Sequence, residues 1–178
     1  MLPVPAGLST LSALTAYDEH SAKFITDAKY HNSRTGLVVL ARWAARMVPG
    51  DVVDELGCVS WAPTATRRRR ERGFDQAQIM ARIVGRELGL PTRRLLRRSS
   101  AAAQTGRTRT ERLSGPVFTP LRDRGSDSHR RLTTPSSILI VDDVCTTGAT
   151  LIAAARALAG SGRAVHGLVI ARTPAPGA

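Results

Sequence analysis

Hydrophobic and polar positions alternate along this chain in a way that predicts helices and strands in turn. From Leu11 to Tyr30, Ala13, Ala16, Tyr17, Phe24, Ile25 and Ala28 recur among Asp, Glu, Lys and His, a spacing that predicts a helix. Leu37 to Met47 carries Leu37, Leu40, Ala41 and Ala44 at near-helical intervals and stops at Pro49-Gly50, predicting a second helix. Between Asp51 and Pro63 the run Cys58-Val59-Ser60-Trp61-Ala62 reads as a strand ended by proline. Gln76 to Leu88 places Ile79, Met80, Ile83, Val84 and Leu88 on one side of a third helix, which Gly89-Leu90-Pro91 terminates. Leu95 to Arg98 reads as a short strand. Ile138 to Val141 is a continuous apolar run, as expected of a strand buried on both faces of a parallel sheet. Leu151 to Leu158, rich in Ala, predicts a helix, and Gly160-Ser161-Gly162 a turn. Ala164 to Ala171 predicts the last strand. Strands alternating with helices make this an α/β chain.

The chemistry concentrates where the strand 138–141 ends. Asp142 and Asp143 leave the sheet there, and Thr146, Thr147, Gly148, Ala149 and Thr150 lead into the next helix. Amides at a helix start have no intrahelical acceptor, the helix dipole is positive there, and glycine lets an anion approach the backbone. Open α/β sheets bind ligands beyond the carboxyl ends of their strands. Two carboxylates followed by an anion cradle therefore suit a ligand with hydroxyls and a phosphate, such as a ribose 5-phosphate. A Walker B strand would look similar, but the Gly-x-x-x-x-Gly-Lys-Ser/Thr loop that must accompany it is missing from the sequence.

Ile-Leu-Ile-Val-Asp-Asp-Val-Cys-Thr-Thr-Gly-Ala-Thr resembles the signature loop of the type I phosphoribosyltransferases. The resemblance implies that fold, a mostly parallel sheet flanked by helices, with N-terminal helices and a flexible hood loop. It also implies that Asp142 and Asp143 hold the ribose hydroxyls and residues 146–150 the 5-phosphate of phosphoribosyl pyrophosphate. Arg69-Arg70-Glu71-Arg72-Gly73-Phe74-Asp75-Gln76 is similar to a motif of the ComF-like competence proteins within that family, with Asp75 where Asn is usual. By that resemblance Arg69, Arg70 and Arg72 meet the pyrophosphate; Gly73 is expected at positive φ, and Phe74 with its ring under the loop. Tyr17 and Lys29-Tyr30 resemble the front end of the same subgroup. Ala62-Pro63-Thr64 stands for its usual Val-Pro-Leu.

Residues 99–112 are polar, small and basic, the composition of an active-site lid, and resemble the hood, with Gln104 and Arg112 as its substrate-binding positions. Leu113 to Phe118 departs from the family's Asn-x-x-Gly-Ala-Phe. The expected division is an N-terminal helical segment over 1–50, a phosphoribosyltransferase domain over 51–172, and a disordered tail over 173–178. A mobile surface connection is expected over 122–137.

Composition refines this picture in places. The 178 residues suit one α/β domain, and 26 Lys plus Arg against 14 Asp plus Glu give a net charge of +12. Such a surface suits a polyanion, either phosphoribosyl pyrophosphate or DNA. Residues 1–16 carry no basic segment and are broken by Pro3, Pro5 and Gly7, and no run reaches a membrane-spanning length; a cytoplasmic location is the expectation. Cys58 and Cys145 form no disulfide framework or metal knuckle, and zinc is not expected, since the zinc ribbon usual in ComF-like proteins is not found here. His20, His31, His129 and His166 show no metal spacing. The resemblance implies Mg²⁺ carried on the substrate, with no protein metal ligand, and transfer of the phosphoribosyl group to a nitrogen nucleophile with release of pyrophosphate. The acceptor is not legible, and dimers are common in the family. The rival expectation is a binding protein, a non-catalytic sensor of phosphoribosyl pyrophosphate or a competence factor engaging DNA.

Overall fold

A computed structural model describes residues 3–23, 34–65, 73–99, 115–121 and 137–174. Its centre is a four-stranded, wholly parallel sheet. The strands are β1 (Thr10–Ala16), β2 (Leu56–Trp61), β5 (Ser137–Cys145) and β6 (Val165–Arg172), in the order β1-β6-β5-β2. Three helices, α1 (Arg34–Ala45), α2 (Gly50–Glu55) and α3 (Gln76–Glu87), contribute to one face, where Leu40, Ala44, Val52, Met80 and Val84 pack on Leu139, Val141, Leu168 and Ile170. The other face is covered by α4 (Ala149–Leu158) and by an antiparallel hairpin of β3 (Leu96–Arg98) and β4 (Phe118–Pro120). There Leu151, Ala154, Leu158, Leu96 and Phe118 meet Ile138, Ile140 and Val169. Burial of β5 on both faces explains its unbroken apolar run.

The helices α1, α3 and α4 and the strands β2, β3, β5 and β6 lie where hydrophobic spacing predicts them. The helix expected from Leu11 to Tyr30 is overturned over its first part. Residues 10–16 are strand β1, paired in parallel with β6 from Thr10↔His166 to Ala16↔Arg172. Leu11 and Ala13 pack on one face of the sheet and Leu14 on the other, a period of two that the small residues between them disguised. Helical backbone begins only at residue 19, where Asp18 Oδ1 accepts from the Ser21 amide at 2.7 Å. Residues 24–30 lie outside the described residues, as do Arg69, Arg70, Arg72, Gln104, Arg112 and nearly all of the expected lid and surface connection.

Two elements had no sequence expectation. Helix α2 is a six-residue turn between Pro49 and β2, too short for periodicity to reveal. Strand β4 includes the end of the departed hood motif. In the tail, the Thr173 amide donates to the Cys145 carbonyl at 2.9 Å, so ordered backbone continues past β6. No helix among the described residues is long and apolar enough to cross a membrane.

This arrangement fixes where a ligand can sit. The helices leaving the adjacent strands β2 and β5 pack on opposite faces, α3 on one and α4 on the other. A crevice therefore opens beyond the carboxyl ends of these two strands, as expected at a topological switch point. The outer edge of β2 is covered by the chain returning from α3, with Val59 bonded to Pro91 and Arg93 at 3.0 and 2.9 Å.

Candidate functional site

Strand β5 continues past its apolar run, so Asp142 and Asp143 are held by a sheet ladder, with Asp142 opposite Val169 of β6. Both acids are half-buried, and both border the crevice. One oxygen of each is fixed by the chain that follows: the Asp143 amide donates to Asp142 Oδ1 at 2.9 Å, and the Val144 amide to Asp143 Oδ1 at 2.8 Å. Such bonds limit the carboxylates to a few orientations and orient them for a ligand.

After Cys145 the chain turns through exposed Thr146 and Thr147 to Gly148, which caps α4 at φ +75°. That left-handed conformation suits glycine. Thr147 Oγ1 lies 3.4 Å from the Ala149 amide as acceptor, and the Gly148 carbonyl receives the Ile152 amide at 2.9 Å, starting the helix. Behind the turn, Pro5 packs against Gly148, and Arg172 donates to the Pro3 carbonyl. Cys145 is buried beneath the turn. Burial pushes its thiol upward, the Asp142 carboxylate adds to this, and Arg172 and a bond from the Gly148 backbone offset part of it. A thiol so placed is a packing group rather than a nucleophile.

The crevice is polar, with a volume of about 330 Å³, within the usual size range of small-molecule sites. Asp142, Asp143, Thr146 and Thr150 form one wall. Pro63, Thr64 and Ala65 after β2, Ala77 of α3, Tyr17 after β1 and Arg98 of β3 form most of the rest. Asp75 holds the β2 side in place. It is buried, accepts from the Gln78 amide at 3.4 Å as cap of α3, and binds Thr64 through both its amide (3.2 Å) and its hydroxyl (3.1 Å). Gly73 has the expected positive φ, +75°, and Phe74 is half-buried.

Of the residues singled out from sequence, Asp142, Asp143, Thr146 and Thr150 border the crevice together. Thr147 and Gly148 border a second hollow behind the turn, with Pro5 and Arg172. Ala149 lies against the hollow between β4 and α4. Arg98 went unnoticed in the sequence, where it is one arginine among many in a short strand. The hairpin brings it across from the acids, with its Nη1 3.4 Å from the Pro63 carbonyl and its guanidinium 5.7 Å from the Phe118 ring centroid. Tyr17 carried only a resemblance to the subgroup's front end; its place at the crevice comes from the pairing of β1 with β6.

An acid pair near the carboxyl end of a buried parallel strand, followed by a threonine-glycine turn and a helix, fits a phosphoribosyltransferase fold. The chain belongs to that family: the phosphoribosyl transferase domain matches residues 71–176. It is a ComF-like member, 32% identical over 102 residues to Competence protein ComFC of Bacillus subtilis (strain 168), a match covering 57% of this chain and 38% of that protein. The chain thus spans well under two thirds of that relative's length.

Proposed function

We propose that this protein binds phosphoribosyl pyrophosphate and transfers its phosphoribosyl group to a nitrogen nucleophile, releasing pyrophosphate. The observation that carries this reading is the single crevice shared by Asp142, Asp143, Thr146 and Thr150 at the start of α4. Asp142 and Asp143 hold the 2′- and 3′-hydroxyls of the ribose. The turn from Thr146 to Thr150, Gly148 and Ala149 included, receives the 5-phosphate through its amides and hydroxyls. In the reaction the C1–O bond to pyrophosphate breaks with the electron pair leaving on oxygen, and the acceptor nitrogen bonds to C1. The two carboxylates lie beside the sugar that carries developing positive charge, and cationic side chains stabilise the leaving group. Arg98, which borders the crevice, takes that role in this reading together with Arg69, Arg70 and Arg72, for which their motif implies it. Gln104 and Arg112 belong to the segment proposed to close over the bound sugar and keep water from C1.

Mg²⁺ fits this donor set as a substrate-borne ion. Oxygen donors such as Asp142 and Asp143 suit an ion that keeps most of its ligands from water and phosphate. Bound on the substrate, it would neutralise charge on the pyrophosphate. The relative's printed name associates it with competence, and a role of this chain in handling taken-up DNA or its nucleotides is part of the same proposal.

Calorimetry with phosphoribosyl pyrophosphate and Mg²⁺ tests the reading. The wild-type protein should bind, and Asp143→Asn should bind at least about tenfold more weakly, the loss of one charge-assisted hydrogen bond. Equal affinities would remove the acids from the site. Pyrophosphate release across a panel of nucleobases and amines then separates a transferase from a protein that only senses the sugar.

A further inference from the structure

Helix α1 turns an apolar line outward as well as one toward the core. Leu37, Leu40, Ala41 and Ala44 on its inner side are buried. On the outer side Val39, Trp43 and Met47 are 38%, 52% and 43% exposed, three of the four large hydrophobic residues so exposed among the described residues. Their spacing is i, i+4 and i+8. Helical turns continue past Ala45, where the Arg46, Met47 and Val48 amides donate to the Trp43, Ala44 and Ala45 carbonyls at 3.1, 3.0 and 3.2 Å. The three side chains therefore form one ridge about 12 Å long. It lies outside both core clusters, so folding does not require it. Apolar residues exposed singly need no explanation, but three in register around a tryptophan present a contact surface. The charge beside the ridge has one sign: Arg34 to Met47 contains no Asp or Glu. Arg42 and Arg46 are exposed and flank the ridge on its α3 side, where Arg42 binds Glu87 at 3.1 Å. Arg46 forms no ion pair among the described residues.

We infer that this ridge docks an acidic amphipathic helix of a partner protein, with apolar side chains spaced three and four apart and carboxylates along one edge. The grooves between side chains of such a helix accept a ridge of this spacing, and its carboxylates answer Arg42 and Arg46. Charge and shape disfavour the other occupants. A second copy docked ridge to ridge would bring arginines and no carboxylate. A nucleic acid strand would find one aromatic face, that of Trp43, where binding by stacking uses several in succession. A helix lying on lipid buries a broad apolar face, and the broad face of α1 is already used by the core.

The test is fluorescence anisotropy on the full chain with two dye-labelled helical peptides. Both carry leucines at three- and four-residue spacing; glutamates flank the leucines in one and lysines in the other. The glutamate peptide should bind saturably, at least about tenfold more tightly than the lysine peptide. Its binding should shift the emission of Trp43 to shorter wavelength, and the other tryptophan, Trp61, is buried. Trp43→Ser and Met47→Gln, both at exposed positions, should each weaken binding by about tenfold with urea midpoints unchanged. If Trp43→Ser does not fold, Met47→Gln decides. Arg42→Glu/Arg46→Glu should reverse the preference between the peptides. Arg156→Glu/Arg163→Glu makes the same charge change at α4 and the turn after it, and should keep the wild-type preference. Absence of saturable binding by the glutamate peptide, equal affinity for both peptides, or the same reversal in the control overturns the inference. So does a dimer in sedimentation that Trp43→Ser dissociates, which gives the ridge to a second copy. Binding of phosphatidylglycerol vesicles or of a single-stranded oligonucleotide that is lost in Trp43→Ser, with no glutamate-peptide preference, overturns it in favour of those surfaces.

Discussion

Gly148 shows how a single residue serves two neighbours. Its φ of +75° shapes the turn toward the crevice, and on the far side an added Cβ would lie 3.1 Å from Pro5 Cγ and 3.2 Å from Pro5 Cβ. Gly148→Ala therefore meets both a left-handed backbone and a proline that cannot rotate away. A destabilisation of about 1–3 kcal/mol is expected, read as a lower urea midpoint. Weaker binding of ribose 5-phosphate should accompany it, because the amides of the turn move with Gly148. The glycine was legible in sequence as the point where a phosphate approaches the backbone. Its contact with Pro5 was not, since nothing local relates residues 143 positions apart.

At the scale of elements, Asp75 joins α3 to the loop after β2. In the sequence Asp75 stands only as one position of a motif; its capping of α3 and its bonds to Thr64 emerge from how β2 and α3 pack. Asp75→Ala removes the cap and leaves the Thr64 amide without its acceptor, at a cost of about 1–2 kcal/mol. Asp75→Asn should lose less, because its carbonyl oxygen still caps the helix while the amide nitrogen cannot accept from Thr64. Chemical denaturation of the two variants gives this ranking, and an Asn variant no more stable than Ala would show that the second oxygen matters most. Strand β1 marks the converse case. Its apolar positions within residues 11–16 are compatible with either a helix or a strand, and the free edge of β6 decides for the strand.

Across the whole molecule, the sheet's amino end carries a titrating group far from the crevice. His166 on β6 is buried, and its Nδ1 is 2.8 Å from Thr10 Oγ1 on β1. Burial holds its imidazole below the usual range, with Glu55 and Asp51 offsetting part of the effect. A depressed folded value means that the unfolded chain takes up the proton first as pH falls. Stability is therefore full above about pH 6.5 and declines below it, by at most about 1.4 kcal/mol per pH unit, until the folded value is reached. Urea midpoints measured between about pH 7.5 and 5 should show this decline, and His166→Gln should flatten it. A slope that persists in the variant would assign the decline to other groups.

Local pattern was sufficient for the elements whose chemistry is local. The buried run of β5, the acids after it, the threonine-glycine turn and the start of α4 follow one another along the chain, so their geometry is set by nearest-neighbour backbone preferences. The amphipathic helices α1 and α3 and the last strand were legible for the same reason. Only the tertiary structure decided that β1 joins the sheet and that Arg98 and Tyr17 border the crevice with the acids. Those relations depend on hydrogen bonds and packing between distant segments, as between Thr10 and His166, 156 positions apart. No periodicity within a short window can encode which distant partner satisfies an edge or approaches a site.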